Sequence, residues 1–338
     1  MLAFEKVVLQ TRLLDPRADF ALAEIPSEIR FDPLTGASGR VAHFLTRDLP
    51  APDLDSWKQF AAGQFCPFCP ENVERVTPQF PPEICPEGRL RRGEALAFPN
   101  LSPYDRHSAL TVVTRAHFPL PHEFSATQLA DAFQLSQDYL GRVLAQEPDL
   151  HPLVTWNYLP PAGSSQIHPH LQVFATAAPG NAPLAEWRAE EAYRQAHAAD
   201  FWSALLEEEK KRGERYLGRL GETEWLIAFR PYGVLGDVLA LFPEGVLLPH
   251  VPRDLFLTLA AGLERLFRFF RDAHLVSFNL ALYQSPRRLR LRFIPRLYLH
   301  QAIHTSDINH LQMLLAEPIA MVPPEEMAAR IRPYFELA

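Results

Sequence analysis

The chain is short of cysteine: three thiols in 338 residues are too few for the disulfide framework that staples small secreted domains. It also lacks any charge-free apolar run of membrane-spanning length, and Glu5, Lys6 and Arg12 interrupt the stretch where a secretory leader would lie. Positive charge is not in excess either. Its 33 Lys and Arg face 40 Asp and Glu, for a formal net charge of -7. That balance excludes a general field for nucleic acid, so an anionic ligand has to be held by local Arg and backbone N–H groups. The expectation is a cytoplasmic protein with neither nucleic acid nor membrane as partner.

What is present is core-forming material, 47% hydrophobic residues over a length that fits two modules or one duplicated domain. The 32 prolines are scattered, so they punctuate short elements and mark no disordered tract. From residue 94 the pattern reads strand (94–100), strand (109–115), helix (125–146) with Ser125 as N-cap, strand, then strand (166–176). After a charged helical stretch the order returns, ending on RLRLRFIP where the first copy has QIHPHLQV. The predicted fold is α+β, a duplicated unit with antiparallel sheets covered by helices. Its divisions are 1–178, a helical connector 179–215, and a second half 216–338.

In an extended strand over 166–176, His168, His170 and Gln172 project to one side and Pro169, Leu171 and Val173 to the other. Proline points to an edge or an irregular position. Gly163, Ser164 and Ser165 just upstream offer flexible backbone and hydroxyl donors for an anionic oxygen. Cys66 and Cys69 form a C-x2-C pair, which two histidines from elsewhere would complete as a tetrahedral site suited to zinc. A metal-free thiol pair or a redox C-x2-C is the alternative, and Cys85 reads as a small buried side chain.

Asn157, Gly163, Ser165, His168, His170 and Gln172 fall in one register, N-x5-G-x-S-x2-H-P-H-x-Q. This resembles the signature of galactose-1-phosphate uridylyltransferase, a member of the histidine-triad superfamily. RFDPLTG (30–36), CPFCPENVERV (66–76), AFPN (97–100) and VVTRAHFPLPHEFS (112–125) resemble further stretches of that family. EWLIAFRPY (224–232) and LLAEP (314–318) are similar near the other end.

The resemblance implies a histidine-triad-like fold in each half and a structural zinc on Cys66, Cys69, His117 and His168. His107, His122 and His151 fit no motif position. It implies His170 as covalent nucleophile, Gln172 and Ser165 on phosphate oxygens, and Asn157 holding phosphates or sugar. Phe98 and Asn100 match base-contacting positions, although they also read as a core Phe beside a turn Asn. Arg47 is the candidate for a phosphate-binding Arg. The implied partners are a nucleotide sugar or dinucleoside polyphosphate, a phosphate or sugar phosphate acceptor, and a second copy of the chain in a homodimer.

The departures concern the acceptor. Asp307 and Ile319 stand where the family has Lys and Gln, and Leu171 stands in place of Gly. His-x-His-Leu-Gln after Gly-Ser-Ser-Gln looks more like diadenosine tetraphosphate phosphorylase, which uses the same covalent step. Arg290 and Arg292 occupy the second copy's counterpart of the histidines, as exposed strand charge or as a phosphate grip. A hydrolase and a non-catalytic nucleotide-binding protein are the remaining readings.

Overall fold

The computed structural model describes residues 2–42 and 51–336; the candidate Arg47 lies outside the described residues. Strands β1 (Lys6–Asp15), β2 (Ala21–Phe31) and β3 (Ser38–Ala42) come first, followed by α1 (Leu54–Ala62) and α2 (Pro70–Val76). The first repeat follows, with β4 (Leu90–Arg92), β5 (Ala95–Pro99), β6 (His107–Val112), α3 (Ala126–Leu144), β7 (His151–Tyr158) and β8 (His170–Thr176). Helices α4 (Asn181–His197) and α5 (Phe201–Arg212) lead to the second: β9 (Tyr216–Leu220), β10 (Thr223–Ile227), β11 (Val238–Leu241), α6 (Arg253–Asp272), β12 (Ser277–Gln284) and β13 (Leu289–Arg296). The chain closes on β14 (Tyr298–His300), β15 (Thr305–Ser306), α7 (His310–Leu315), β16 (Ile319–Ala320) and α8 (Pro324–Glu336).

The strand-strand-helix-strand-strand unit is thus present twice, but the copies do not keep separate sheets. Their strands run in one ten-stranded antiparallel sheet of order β4-β5-β6-β8-β7-β12-β13-β11-β10-β9. The join is β7 on β12, with Asn157 opposite Asn279 and Tyr158 opposite Phe278. Each copy alone would expose an unpaired edge there, and pairing the two satisfies both rows of N–H and C=O groups.

Helices α3 and α6 cover one face. α3 starts where it does because Ser125 closes a capping box: its Oγ accepts the Gln128 N–H while the Gln128 side chain accepts the Ser125 N–H. Beyond the cap, Leu129, Phe133 and Leu140 recur at helical spacing and enter the core with Leu171 and Val173 of β8. α6 contributes Leu259, Leu263, Leu266 and Phe267 to the same core. At Gly262 this helix meets Trp225 of β10 so closely that an added Cβ would sit 2.0 Å from a ring carbon. Alanine normally gains about 1 kcal/mol over glycine in a helix. Here Trp225 is enclosed on all sides, and overpacking costs about 1–3 kcal/mol. Gly262→Ala is expected to lower the denaturant midpoint of unfolding; an unchanged or higher midpoint would contradict this packing.

Arg290 and Arg292 of β13 are neither exposed strand charge nor free for a phosphate. Arg290 is 1% exposed and pairs with Glu186 at 2.9 Å and with Glu190, both on α4. Arg292 pairs with Asp237 at 2.6 Å and with Glu186 at 3.4 Å. Where the first copy has its histidines, the second is sealed by carboxylates, Glu186 and Glu190 from α4 and Asp237 from the residue before β11.

Candidate active site

The expected strand over 166–176 begins only at His170. Pro169 has no N–H to give the ladder, so pairing starts after it, although its carbonyl still accepts from Val113 at 3.0 Å. Nor is β8 an edge strand: it lies between β6 and β7. From His170 onward the alternation holds. Leu171 and Val173 enter the helix-covered core, while His170 and Gln172 stand opposite Val112 and Leu110 of β6 on the other face.

On that face Cys66, Cys69, His117 and His168 each present one donor atom, and all four atoms lie within 4.8 Å of one another. The cluster could hold a metal ion. Cys66 Sγ is 3.5 Å from His168 Nδ1, and Cys69 Sγ is 3.3 Å from His117 Nδ1 and 3.6 Å from His168 Nδ1. Zinc bonds of about 2.3 Å to sulfur and 2.0–2.1 Å to nitrogen in a tetrahedron separate S from N by about 3.5 Å. The outer ring nitrogens fit as well. His168 Nε2 is 2.8 Å from the Thr114 carbonyl and His117 Nε2 is 3.2 Å from that of Ala61. A carbonyl only accepts, so each Nε2 carries the proton and each Nδ1 turns its lone pair inward.

Burial, reinforced by the neighbouring Cys66, pushes the Cys69 thiol up to about 12, and burial pulls His168 down to about 4. Neutral imidazole is the form a metal needs, and a divalent cation would stabilise the thiolate that burial opposes. The knuckle is held locally by the Asn72 amide on the Cys66 carbonyl at 2.9 Å and by the Phe68 N–H on Cys66 Sγ at 3.4 Å. Val73 then packs with Leu96, Phe98, Leu110 and Val112 of the sheet.

His170 follows from His168. Its Nδ1 is 2.8 Å from the His168 carbonyl, so Nδ1 carries the proton and Nε2 keeps a free lone pair. Burial lowers its pKa, against the opposing hydrogen bond to His168, and keeps the ring neutral. The Phe68 ring meets it edge-on with centroids 5.1 Å apart.

A cavity of about 250 Å³ opens beside His170, with Phe68, Phe98, Asn100, Ser165 and Gln172 in its wall and Leu101 and Tyr104 exposed at its mouth. Ser165 and Gln172 make no side-chain hydrogen bond among the described residues. Asn100 accepts the Ser102 N–H at 3.0 Å, which leaves its –NH2 as the free edge. A larger cavity, about 660 Å³, is lined by Trp57, Phe60, Tyr298 and, from the loop after β7, Pro160 and Ile167. It contains none of the motif residues, so chemistry and not size selects the smaller one.

The other predicted residues are placed as follows. Asn157 shares the His170 face, but its amide oxygen accepts from Asn279 at 2.7 Å. Gly163 has φ +82 and ends the short turn after β7, a conformation that favours glycine. The Ser164 hydroxyl donates to the Gln166 carbonyl at 2.6 Å and shapes that turn. None of these three lines the 250 Å³ cavity. Asp307 is 3% exposed and held by Arg296 at 2.6 Å, so it is no free anion that could repel a phosphate. Ile319 pairs in parallel with Arg40 of β3. Leu171, 1% exposed in the core, does not face a ligand. Phe68, one of the two residues inside C-x2-C, was not among the predicted site residues; its ring lies 6.3 Å from that of His168 and 5.1 Å from that of His170, between the Cys/His cluster and the candidate nucleophile, and its signal was an aromatic between the two cysteines.

No family model matches the chain. An uncharacterized protein from Archaeoglobus fulgidus is 32% identical over 314 residues, covering 90% of this chain and 91% of that one. An ADP-glucose phosphorylase from Arabidopsis thaliana, solved with bound ADP-glucose, superposes with a TM-score of 0.70 at 13% identity, over 92% of this chain and 99% of its own. A uridylyltransferase structure gives a TM-score of 0.66 at 18% identity, over 91% and 98%.

Proposed function

For a chain that belongs to one family with the Archaeoglobus fulgidus protein and has the galactose-1-phosphate uridylyltransferase-like fold, we propose nucleotidyl transfer through His170. The observation that carries this reading is the fixed tautomer of His170, which leaves Nε2 free on a residue that lines a cavity together with Ser165 and Gln172. Nε2 attacks the α-phosphorus of a nucleoside diphosphate sugar, the bond to the bridging oxygen breaks, and sugar 1-phosphate leaves. A phosphate oxygen of the acceptor then attacks the same phosphorus and the P–N bond breaks. Gln172 and Ser165 donate to the nonbridging oxygens, where charge builds in both steps. Phe68 and Phe98 offer apolar faces to the base, and the Asn100 –NH2 offers a donor to an acceptor on its edge.

We assign the metal site to zinc, bound by Cys66, Cys69, His117 and His168. A bound ion would fix His168, whose carbonyl in turn holds the ring of His170. The first half, to about residue 178, then carries the chemistry, and the half from about 216, beyond the connector helices, supports it. A second copy of the chain is proposed as its partner in a homodimer. Among the described residues no helix is long and apolar enough to cross a membrane.

Donor and acceptor are separable by experiment. The chain is incubated with α-labelled ADP-glucose, UDP-glucose or diadenosine tetraphosphate and then challenged with inorganic phosphate or galactose 1-phosphate. A nucleoside diphosphate sugar is expected to label the protein and a phosphate acceptor to discharge it. Labelling by diadenosine tetraphosphate alone would shift the reading to a dinucleoside polyphosphate phosphorylase, and discharge by water alone to a hydrolase. With Leu171 in the core and Asp307 neutralised, neither residue argues for one acceptor over another.

A further inference from the structure

We propose that Asn279, locked by Arg296 and Asp307, is a positioning residue that turns the donor edge of Asn157 toward the phosphate bound at His170. This rests on the covalent reading of His170. The starting point is a chain of hydrogen bonds whose polarity leaves no choice of amide orientation. The Nε of Arg296 donates to both carboxylate oxygens of Asp307, at 3.0 and 2.9 Å, and its Nη2 donates to the same carboxylate at 2.6 Å. The Leu297 N–H donates to Asp307 as well, at 3.2 Å. The remaining Arg296 Nη1 donates to the side-chain oxygen of Asn279.

With its oxygen taken, Asn279 directs its amide nitrogen the other way and donates to Asn157 Oδ1 at 2.7 Å and to the Ala162 carbonyl at 2.9 Å. A guanidinium has no lone pair to offer and a carbonyl has no hydrogen. Flipping Asn279 would therefore set donor against donor at Arg296 and acceptor against acceptor at Ala162. Asn157 must present its oxygen inward, and its –NH2 is left without a partner among the described residues.

Position gives that free edge a purpose. Thr155 stands opposite Gln172 across the ladder of β7 and β8. Asn157 lies two residues further along β7 and His170 two residues back along β8, so both occupy the same face at the same end. Asn157 and Gln172 then supply amide donors on two sides of the imidazole. The second bond from Asn279 holds the turn between Asn157 and Ser165, where Leu159, a non-glycine residue, has φ +67. Asn279, Arg296 and Asp307 all follow α6. The repeat without a nucleophile thus orients the site of the repeat that has one.

The test is a double-mutant cycle read on the single-turnover rate of nucleotidyl-protein formation, with the full metal-loaded chain and saturating α-labelled ADP-glucose or whichever donor labels the wild type. Asp at 279 keeps an acceptor for Arg296 but has no hydrogens, so it draws the Asn157 –NH2 toward itself and turns Oδ1 to the phosphate. Asn157→Ala and Asn279→Asp are each expected to slow the step by about 10- to 100-fold. In Asn157→Ala/Asn279→Asp no amide is left to turn, and the combined loss is expected to fall at least about tenfold short of the product of the single losses. Losses that multiply would overturn the proposal, because a merely structural role for Asn279 acts equally in both backgrounds. If Asn279→Asp does not fold, Asn279→Ala completes the same cycle with the same criterion. A wild-type chain that no donor labels would overturn the positioning role together with the covalent reading, whereas labelling with multiplicative losses overturns the positioning role alone.

Discussion

Replacing His170 with alanine is expected to lower turnover of the accepted donor by at least about 10⁴-fold, the order of loss that follows removal of a covalent nucleophile. No neighbouring group can take over. His168 has its Nε2 on the Thr114 carbonyl and its Nδ1 among the sulfur atoms of Cys66 and Cys69. Ser165 and Gln172 line the cavity but are weaker nucleophiles with no base beside them. The fold is expected to survive, because the ring packs at the edge of the Phe68 cluster, outside the core beneath α3 and α6. Steady-state assay with a parallel denaturant titration checks both halves. Turnover within tenfold of wild type would show that His170 is not the nucleophile.

The second large effect concerns the metal cluster. Cys66→Ser combined with Cys69→Ser is expected to abolish stoichiometric zinc on elemental analysis. It should also lower the unfolding free energy by at least about 4 kcal/mol, the stabilisation from a ligand present at a thousand times its dissociation constant. The cost is large because the donor atoms are buried against one another: Cys66 and Cys69 are at most 9% exposed and His168 is 0% exposed, and without a cation the Cys66, Cys69, His117 and His168 donors meet mainly through S···N contacts, with one N–H bond from Phe68 to Cys66 Sγ. Activity should fall in the same variant although no step passes through the metal, since His168 carries the carbonyl that sets the His170 tautomer. A variant that loses zinc but keeps both its stability and its activity would assign the cluster to ordinary buried thiols.

Local signals were legible in the sequence. The Ser125 N-cap and the helix realised as α3 follow from spacing within a few residues, which is the range over which capping and helical periodicity act. The C-x2-C pair marked half of a metal site because ligand spacing is also local, whereas His117 and His168 as its completion and His170 as nucleophile followed from the family resemblance. Long-range pairing was not legible. That β7 meets β12, and so merges two sheets, depends on which edges are left open once each repeat has folded. That Arg290 meets Glu186, and Arg296 meets Asp307 and Asn279, depends on which elements the sheet brings together. For the same reason Asp307 looked like a repelling anion and Leu171 like a substrate determinant. The partner of the first and the buried face of the second are tertiary facts. The strand expected from 166 starts at His170 because proline interrupts the ladder, and the sequence carried that warning without its location.

The most direct measurement is intact-protein and peptide mass spectrometry after brief exposure to the nucleotide donor and neutral quenching. The predicted result is a mass increase of one nucleoside monophosphate on the peptide that contains His170, labile to acid and absent from His170→Ala. Multiple turnovers with no such adduct, or an adduct that persists in His170→Ala, would contradict covalent catalysis by this histidine.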